Sequence, residues 1–408
     1  MRLPSSSPIE QRLPSPIVIS ASGMASLAVA MGVGRFAFTP LFPLMVRDRL
    51  LTTDAGAVLA ASNYLGYLAG AMLAARVRLH AKTQLRLGLI GIVVVTAAVG
   101  WTSSLTAWTF LRFIAGLLSA WSLVATTTWA LAWLAWLDRP KLTGLVFAGV
   151  GIGIAGAGLF CLIAARPGVS ADTLWIELAM LACAAASLPL VVSRISPPTS
   201  SDNQGVPVHG AQHASRSRII GLVVSYGVFG FGYILPATYL PALARQLIDD
   251  PKVFGWAWPV FGFAAAMSTV IASWGLQRFN RVRVWAASHV LMATGVLFPC
   301  IWRSITSVVI SAVLVGGTFM VITMVGMQEA RARAEGNATT ILAQMTAGFA
   351  LGQLAGPVTS AEFGRLTANT SVALSYAMQL AAAGLIISAI YLWHGTCQRN
   401  QIKEHCHG

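Results

Sequence analysis

Carboxylates are scarce in this chain, and so is charge of any kind. Of 408 residues only 13 are Asp or Glu, and charged residues together make up 10%. Soluble domains carry roughly 25%, so a chain with 56% hydrophobic residues cannot hide its apolar surface in one aqueous core. That excludes a soluble enzyme. No nucleophile–base pair and no His/acid cluster stands out, so a membrane enzyme has no support either. A long basic segment interleaved with aromatics is also missing, so the net charge of +14 does not read as nucleic-acid binding. Cysteines number five, three of them (Cys161, Cys183, Cys300) inside apolar runs, and nothing demands an oxidising compartment. The C-terminal stretch with His394, Cys397, His405, Cys406 and His407 fits no closed zinc spacing. Neither metal nor cofactor is expected.

What the chain has instead is apolar runs long enough to cross a bilayer, about 20 residues each. They fall near 17–46, 55–75, 87–101, 106–136, 142–165 and 171–192, then 219–247, 253–276, 284–301, 304–327, 338–363 and 373–392. The expected fold is an all-α integral membrane protein of about twelve transmembrane helices in two six-helix bundles. Residues 1–16 read as an N-terminal tail, polar and broken by proline, without a cleavage-site pattern. Residues 17–194 and 219–394 read as the two bundles. The Pro-, Ser- and Gly-containing residues 195–218 read as a linker, and 395–408 as a C-terminal tail.

Eighteen of the 27 Lys and Arg fall on the side of the N-terminus, seven on the other, and Arg35 and Arg112 lie inside apolar runs. Positive charge marks the cytoplasmic side, so both termini and the linker are expected there. The halves also resemble one another. At an offset of 198 residues Gly32, Gly34, Pro43 and Arg47 meet Gly230, Gly232, Pro241 and Arg245. At 199, Ala148, Gly149 and Gly153 meet Ala347, Gly348 and Gly352. Parallel six-helix repeats are a transporter architecture.

The six-plus-six layout resembles the major facilitator superfamily. More closely, "GVGRFAFTPLFPLM", "GFGYILPATYLPALAR" and "MTAGFALGQLAGP" resemble the YbfB/YjiJ-type family of bacterial transporters, over nearly the whole chain except tails and linker. The resemblance implies a multi-pass protein of the bacterial inner (plasma) membrane that moves a small organic solute by alternating access, with protons as coupling ion. The expected partners are that solute, protons and the lipid bilayer, with one chain acting as a monomer. The loop after the second run lacks the superfamily's gating aspartate, and the fifth run lacks its antiporter proline. A transporter-fold sensor or assembly protein without transport is the competing reading.

Arg35 lies roughly 25 Å along its helix at 1.5 Å per residue. An arginine at the helix centre costs about 2.5–3.5 kcal/mol even on the lower insertion scale, so it should face protein or a polar cavity. It is either a substrate-binding charge or half of a structural pair. In the superfamily the helix carrying it lines the central cavity. Arg112 opens a face with Gly116 and Ala120 that lets a neighbouring backbone approach. The resemblance links it with proton coupling; otherwise it snorkels to the interface. Asp54 is read as a helix N-cap or a partner of Arg35, and Glu177 as an Arg partner or the proton carrier. Glu329 is expected to pair with a loop arginine. Further candidates for cavity polarity are Asn63, Tyr67, Tyr226, Tyr233 and Gln344, each of which also fits an interhelical hydrogen bond. Gly151, Gly153 and Gly156 spell G-x-G-x-x-G, but no strand precedes them, so they read as close helix contact. Trp101, Trp133 and Trp136, near span ends, read as interface anchors.

Overall fold

In lipid every backbone polar group must be satisfied within the chain, and a helix does this locally. The computed structural model accordingly has no strand among its described residues, which are 13–77, 79–166, 168–195, 216–247, 256–276, 278–302, 304–334, 338–367 and 369–405. Twelve long helices account for nearly all of them. They are α1 (Pro16–Arg47), α2 (Thr53–Arg76), α3 (Ala81–Val99), α4 (Leu105–Trp136), α5 (Thr143–Ala164), α6 (Ala171–Val192), α7 (Arg216–Leu247), α8 (Ala257–Gly275), α9 (Arg281–Ile301), α10 (Ile305–Ala332), α11 (Ala338–Thr367) and α12 (Thr370–His405). Starts are written in the sequence. Ser15, Thr52, Ser104, Ser170, Asn280 and Ser304 each stand just before a helix and accept a hydrogen bond from a first-turn amide, the standard use of these residue types.

Among the described residues ten of the twelve are long and apolar enough to cross a membrane by length and composition. The other two are α8 and α11, the latter carrying Thr, Gln and Gly along its length. Both pack between halves: α5 lies against α8, and α2 against α11. Of the linker read over 195–218, residues 196–215 lie outside the described ones, as do residues 1–12 and 406–408. The helix α12 runs on to His405, through most of the stretch read as a tail, because no proline interrupts it. Trp101 and Trp136 are exposed, as interface anchors should be, but Trp133 is fully buried. A span end says nothing about which face a residue occupies.

The repeat is visible in the contacts. Gly149 of α5 lies so close to the Met24 carbonyl of α1 that a methyl group there would collide with it, and Gly153 stands in the same relation to Ala28 and Gly32. In the second half, Gly348 of α11 meets Val223 of α7, and Gly352 meets Gly227 and Phe231. Every one of these partners is displaced by 199 residues. Toward the outer ends of α1 and α7, however, Pro43 and Arg47 match Pro241 and Arg245 at 198. Between Ala28 and Pro43 the first half therefore holds one residue more than the second.

That residue has a visible consequence. While α7 is α-helical throughout, α1 is α-helical over Pro16–Leu27, π-helical over Ala28–Phe36 and α-helical again over Phe38–Arg47. A π-helical turn is how a helix absorbs one inserted residue while both ends keep their register. Arg35 sits inside it.

Candidate functional site

The π-helical stretch carries Arg35 to the seam between halves. Its side chain is buried, and its Nη2 donates to Oε1 of Gln353 on α11. The guanidinium carbon lies 4.0 Å from the ring centre of Tyr67 on α2, with Phe36, Tyr64 and Phe349 further out at 5.4–5.7 Å. A cation over an aromatic face is stabilised by about 2 kcal/mol or more when desolvated. Yet among the described residues Nε and Nη1 of Arg35 have no hydrogen-bond partner, nor has Nε2 of Gln353. Three buried donors thus stand together unused, which is costly for a protein to retain without a purpose.

Arg112 of α4 is buried beside it and faces the backbone of the same stretch. Its Nη1 donates to the Gly34 carbonyl at 3.3 Å and its Nη2 to the Arg35 carbonyl at 3.1 Å. Phe38 lies under it at 4.8 Å. Departure from α geometry frees helix carbonyls, and Arg112 takes up two of them. Asn63 of α2 donates through Nδ2 to the Arg112 carbonyl at 2.9 Å, and Gly116 admits the backbone of Asn63 and Tyr67. Arg112 and Asn63 are thus the scaffold on which Arg35 is mounted. Among the described residues, neither arginine has a carboxylate partner. The ion pairs found join Asp48 to Arg47, Glu329 to Arg281 and Arg333, and Glu362 to Arg365.

Aromatic rings close the remaining space. Tyr233 of α7 stacks on Phe319 of α10 with centroids 4.2 Å apart. Tyr226 packs on Phe349 and stands edge-on to Trp285. Between Met31, Tyr67, Tyr226, Phe319, Thr323 and Phe349 only about 10 Å³ is free, room for one water at most.

The other sequence candidates part company here. Gln344 is exposed. It lies nine residues from Gln353, which at 3.6 residues per turn is the opposite face of α11; Gln353 is the amide at the arginine. Glu177 is half-buried on α6, and among the described residues no hydrogen bond or ion pair joins it to Arg35 or Arg112. The N-cap of α2 is Thr52, whose hydroxyl accepts from the Ala55 amide at 3.4 Å, in the place expected of Asp54; the Asp54 side chain lies outside the described residues. Glu329 takes Arg281 at 3.3 Å and Arg333 at 2.8 Å, the pairing expected for it. Gly151 faces α8 at Gly262 and Ala266, while Gly153 faces α1. The glycine run is a two-sided helix contact.

Residues 27–392 match the family model described as "Uncharacterised MFS-type transporter YbfB". Among curated proteins no significant match to the sequence is found. Among solved structures, a crystal structure of the human organic anion transporter MFSD10 (TETRAN) is similar, with a TM-score of 0.68 at 13% identity over 95% of this chain and 100% of that one. At that identity the likeness is one of fold: the all-α, two-bundle architecture of the superfamily.

Proposed function

The chain belongs to the YbfB-type family of MFS transporters, and from that premise we propose that its cargo is a small organic anion bound at Arg35 and moved by alternating access. The observation that carries this reading is the pair of buried guanidiniums with no carboxylate against them among the described residues, together with the unused donors of Arg35 and Gln353. A carboxylate of the cargo supplies the two acceptors that a planar guanidinium fork can hold side by side. The seams α5–α8 and α2–α11 are the surfaces on which the halves rock. The human structural neighbour is an organic anion transporter, in line with this charge.

Protons are the proposed coupling ion, and Glu177 their proposed carrier. It is the carboxylate set deepest from a span end in the sequence. Arg112 acts with it only indirectly, by fixing Arg35. The proposed setting is the bacterial plasma membrane with both termini in the cytoplasm, supported by the eighteen-to-seven bias of Lys and Arg. Reporter tags near Asn203 and after Lys403 should both read cytoplasmic.

The test is flux of labelled organic acids into sealed proteoliposomes, with and without a proton gradient. An anion whose uptake the gradient accelerates is the expected result. Glu177→Gln should then abolish gradient-driven uptake while anion exchange persists. Binding without any flux would instead identify a sensor built on the transporter fold.

A further inference from the structure

A second charged cavity lies away from Arg35, at the end of the molecule rich in Lys and Arg. It measures about 880 Å³ and opens between the α4–α5 turn of the first half and the α8–α9 turn and C-terminal end of α10 in the second. Among the described residues four cations line it, Arg139 and Lys141 from one half and Arg281 and Arg331 from the other, against the one carboxylate of Asp138. Glu329 pairs with Arg281 and with Arg333, which leaves Arg139, Lys141 and Arg331 as the cavity's excess of positive charge over Asp138. Arg331 reaches across the seam to donate to the Thr128 carbonyl at 3.1 Å.

The flank of the cavity is apolar and aromatic. Phe279 in its wall is 64% exposed, and Trp136 and Trp274, next in the chain to the wall residues Ala135 and Ser273, are 47% and 72% exposed. Exposed tryptophans of a membrane protein sit at headgroup level. The cavity therefore presents cations where lipid phosphates lie and apolar surface where acyl chains begin. A small soluble anion would use the first feature and leave the second idle.

We propose that this cleft binds the headgroup of an anionic phospholipid, its phosphate held between Arg139 and Lys141 of one half and Arg281 and Arg331 of the other. Basic pockets between transmembrane helices on the cytoplasmic side are a known means of lipid recognition. The site adjoins the α5–α8 seam, where Gly144 packs on Thr269 and Ser273, so a bound headgroup bridges the halves where they must separate. The lipid stabilises the closed arrangement of that end.

The experiment is thermal unfolding of the full-length chain in detergent, titrated with dioleoyl phosphatidylglycerol. The melting temperature should rise to a plateau. Phosphatidylcholine with the same chains and glycerol phosphate without chains should each leave it unchanged. Arg139 and Lys141 are exposed, so Arg139→Gln/Lys141→Gln should fold normally and need about tenfold to thirtyfold more lipid for the half-maximal shift, from about one kcal/mol per surface cation. The charge-preserving Arg139→Lys/Lys141→Arg should retain the wild-type titration, also if the neutral pair lowers intrinsic stability. Arg76→Gln/Arg194→Gln removes equal charge from exposed positions outside the cavity and should do likewise. An equal shift with phosphatidylcholine, an equal shift with glycerol phosphate, or equal weakening by Arg76→Gln/Arg194→Gln would each overturn the site.

Discussion

The helices α1 and α7 begin their halves in the same way and differ by one residue. Both present a backbone-to-backbone contact to the fifth helix of their bundle, at Met24 and Ala28 in one and Val223 and Gly227 in the other. Both end in the matched Pro43/Arg47 and Pro241/Arg245. Between these anchors α1 takes a π-helical path and delivers an arginine, whereas α7 stays α-helical and delivers Tyr226 and Tyr233 into an aromatic cluster. A duplicated scaffold has thus been made asymmetric at its centre by one inserted residue, with its outer contacts unchanged. The charge belongs to one half, and the rings that shut the site come from both.

The largest effect should come from removing that charge. Arg35→Gln is expected to lower anion flux about 100-fold per folded molecule, since hydrogen bonds to charged groups contribute about 1.5–3 kcal/mol. Arg35→Lys keeps the charge without the fork and should cost about tenfold. Tyr233→Phe, at the matched position of α7, should change flux less than threefold. Equal losses at Arg35 and Tyr233 would end the functional asymmetry.

Nearly as large should be the effect of deleting Val33. With both ends of α1 held, loss of one residue lets the π-helical stretch close to α geometry, as in α7. The side chains within the stretch, Arg35 among them, lose the positions the π-helical path gives them, while those beyond it keep their register. Membrane insertion should persist, flux should fall as in Arg35→Gln, and the melting temperature should stay near wild type. Retained flux would show that the inserted residue does not position Arg35.

The scaffold itself should respond symmetrically. Gly153→Ala and Gly352→Ala both drive a methyl group into the backbone of the first helix of their half, and each should destabilise by about 1–3 kcal/mol. Gly156→Ala meets nothing within 4 Å and should be neutral in the same melt. Unequal costs at the matched pair would show that the halves no longer share this contact.

The smallest effect belongs to Asp48, beyond the end of α1, where the second half has the uncharged Gln246. The hydrogen bond from Arg47 and, to a lesser degree, the Ala171 amide hold its carboxyl below the ordinary range, against partial burial. A depressed value stabilises the fold above the unfolded-state pKa of about 3.9, and that contribution disappears as pH falls through the folded value. Asp48→Asn should therefore cost at most about 1 kcal/mol at pH 7 and nothing once the carboxyl is protonated. The check is a melt at both pH values.

The helices, their caps, the repeat and the burial of Arg35 could all be read from residues alone. Each follows from local composition or from matching one half to the other. The pairing of Glu329 was legible for a related reason, since a carboxylate near a span end has loop arginines as neighbours. The choice between Gln344 and Gln353 was not. In a soluble helix the apolar stripe marks the inward face, but lipid is as apolar as a protein interior, so α11 carries no such stripe to orient its two glutamines. Trp133 was misplaced on the same ground. The role of Arg112 was hidden because its acceptors are carbonyls, which any sequence supplies and only the π-helical path exposes. The change of offset from 199 to 198 was present in the sequence, but an alignment cannot tell a loop of altered length from an inserted helical residue.

The distance along the chain between Arg35 and its amide has a consequence for biosynthesis. Gln353 follows Arg35 by 318 residues, so the first helix leaves the ribosome long before the group that completes its polar contact exists. An arginine in a lone transmembrane helix weighs against insertion, and Tyr67 on the next helix offers the earliest relief. The nascent first span should therefore remain beside the translocon until α2 and α4 arrive. A chain truncated before α11 should be recognised by quality-control proteases as unfinished, although its first six helices form a complete bundle.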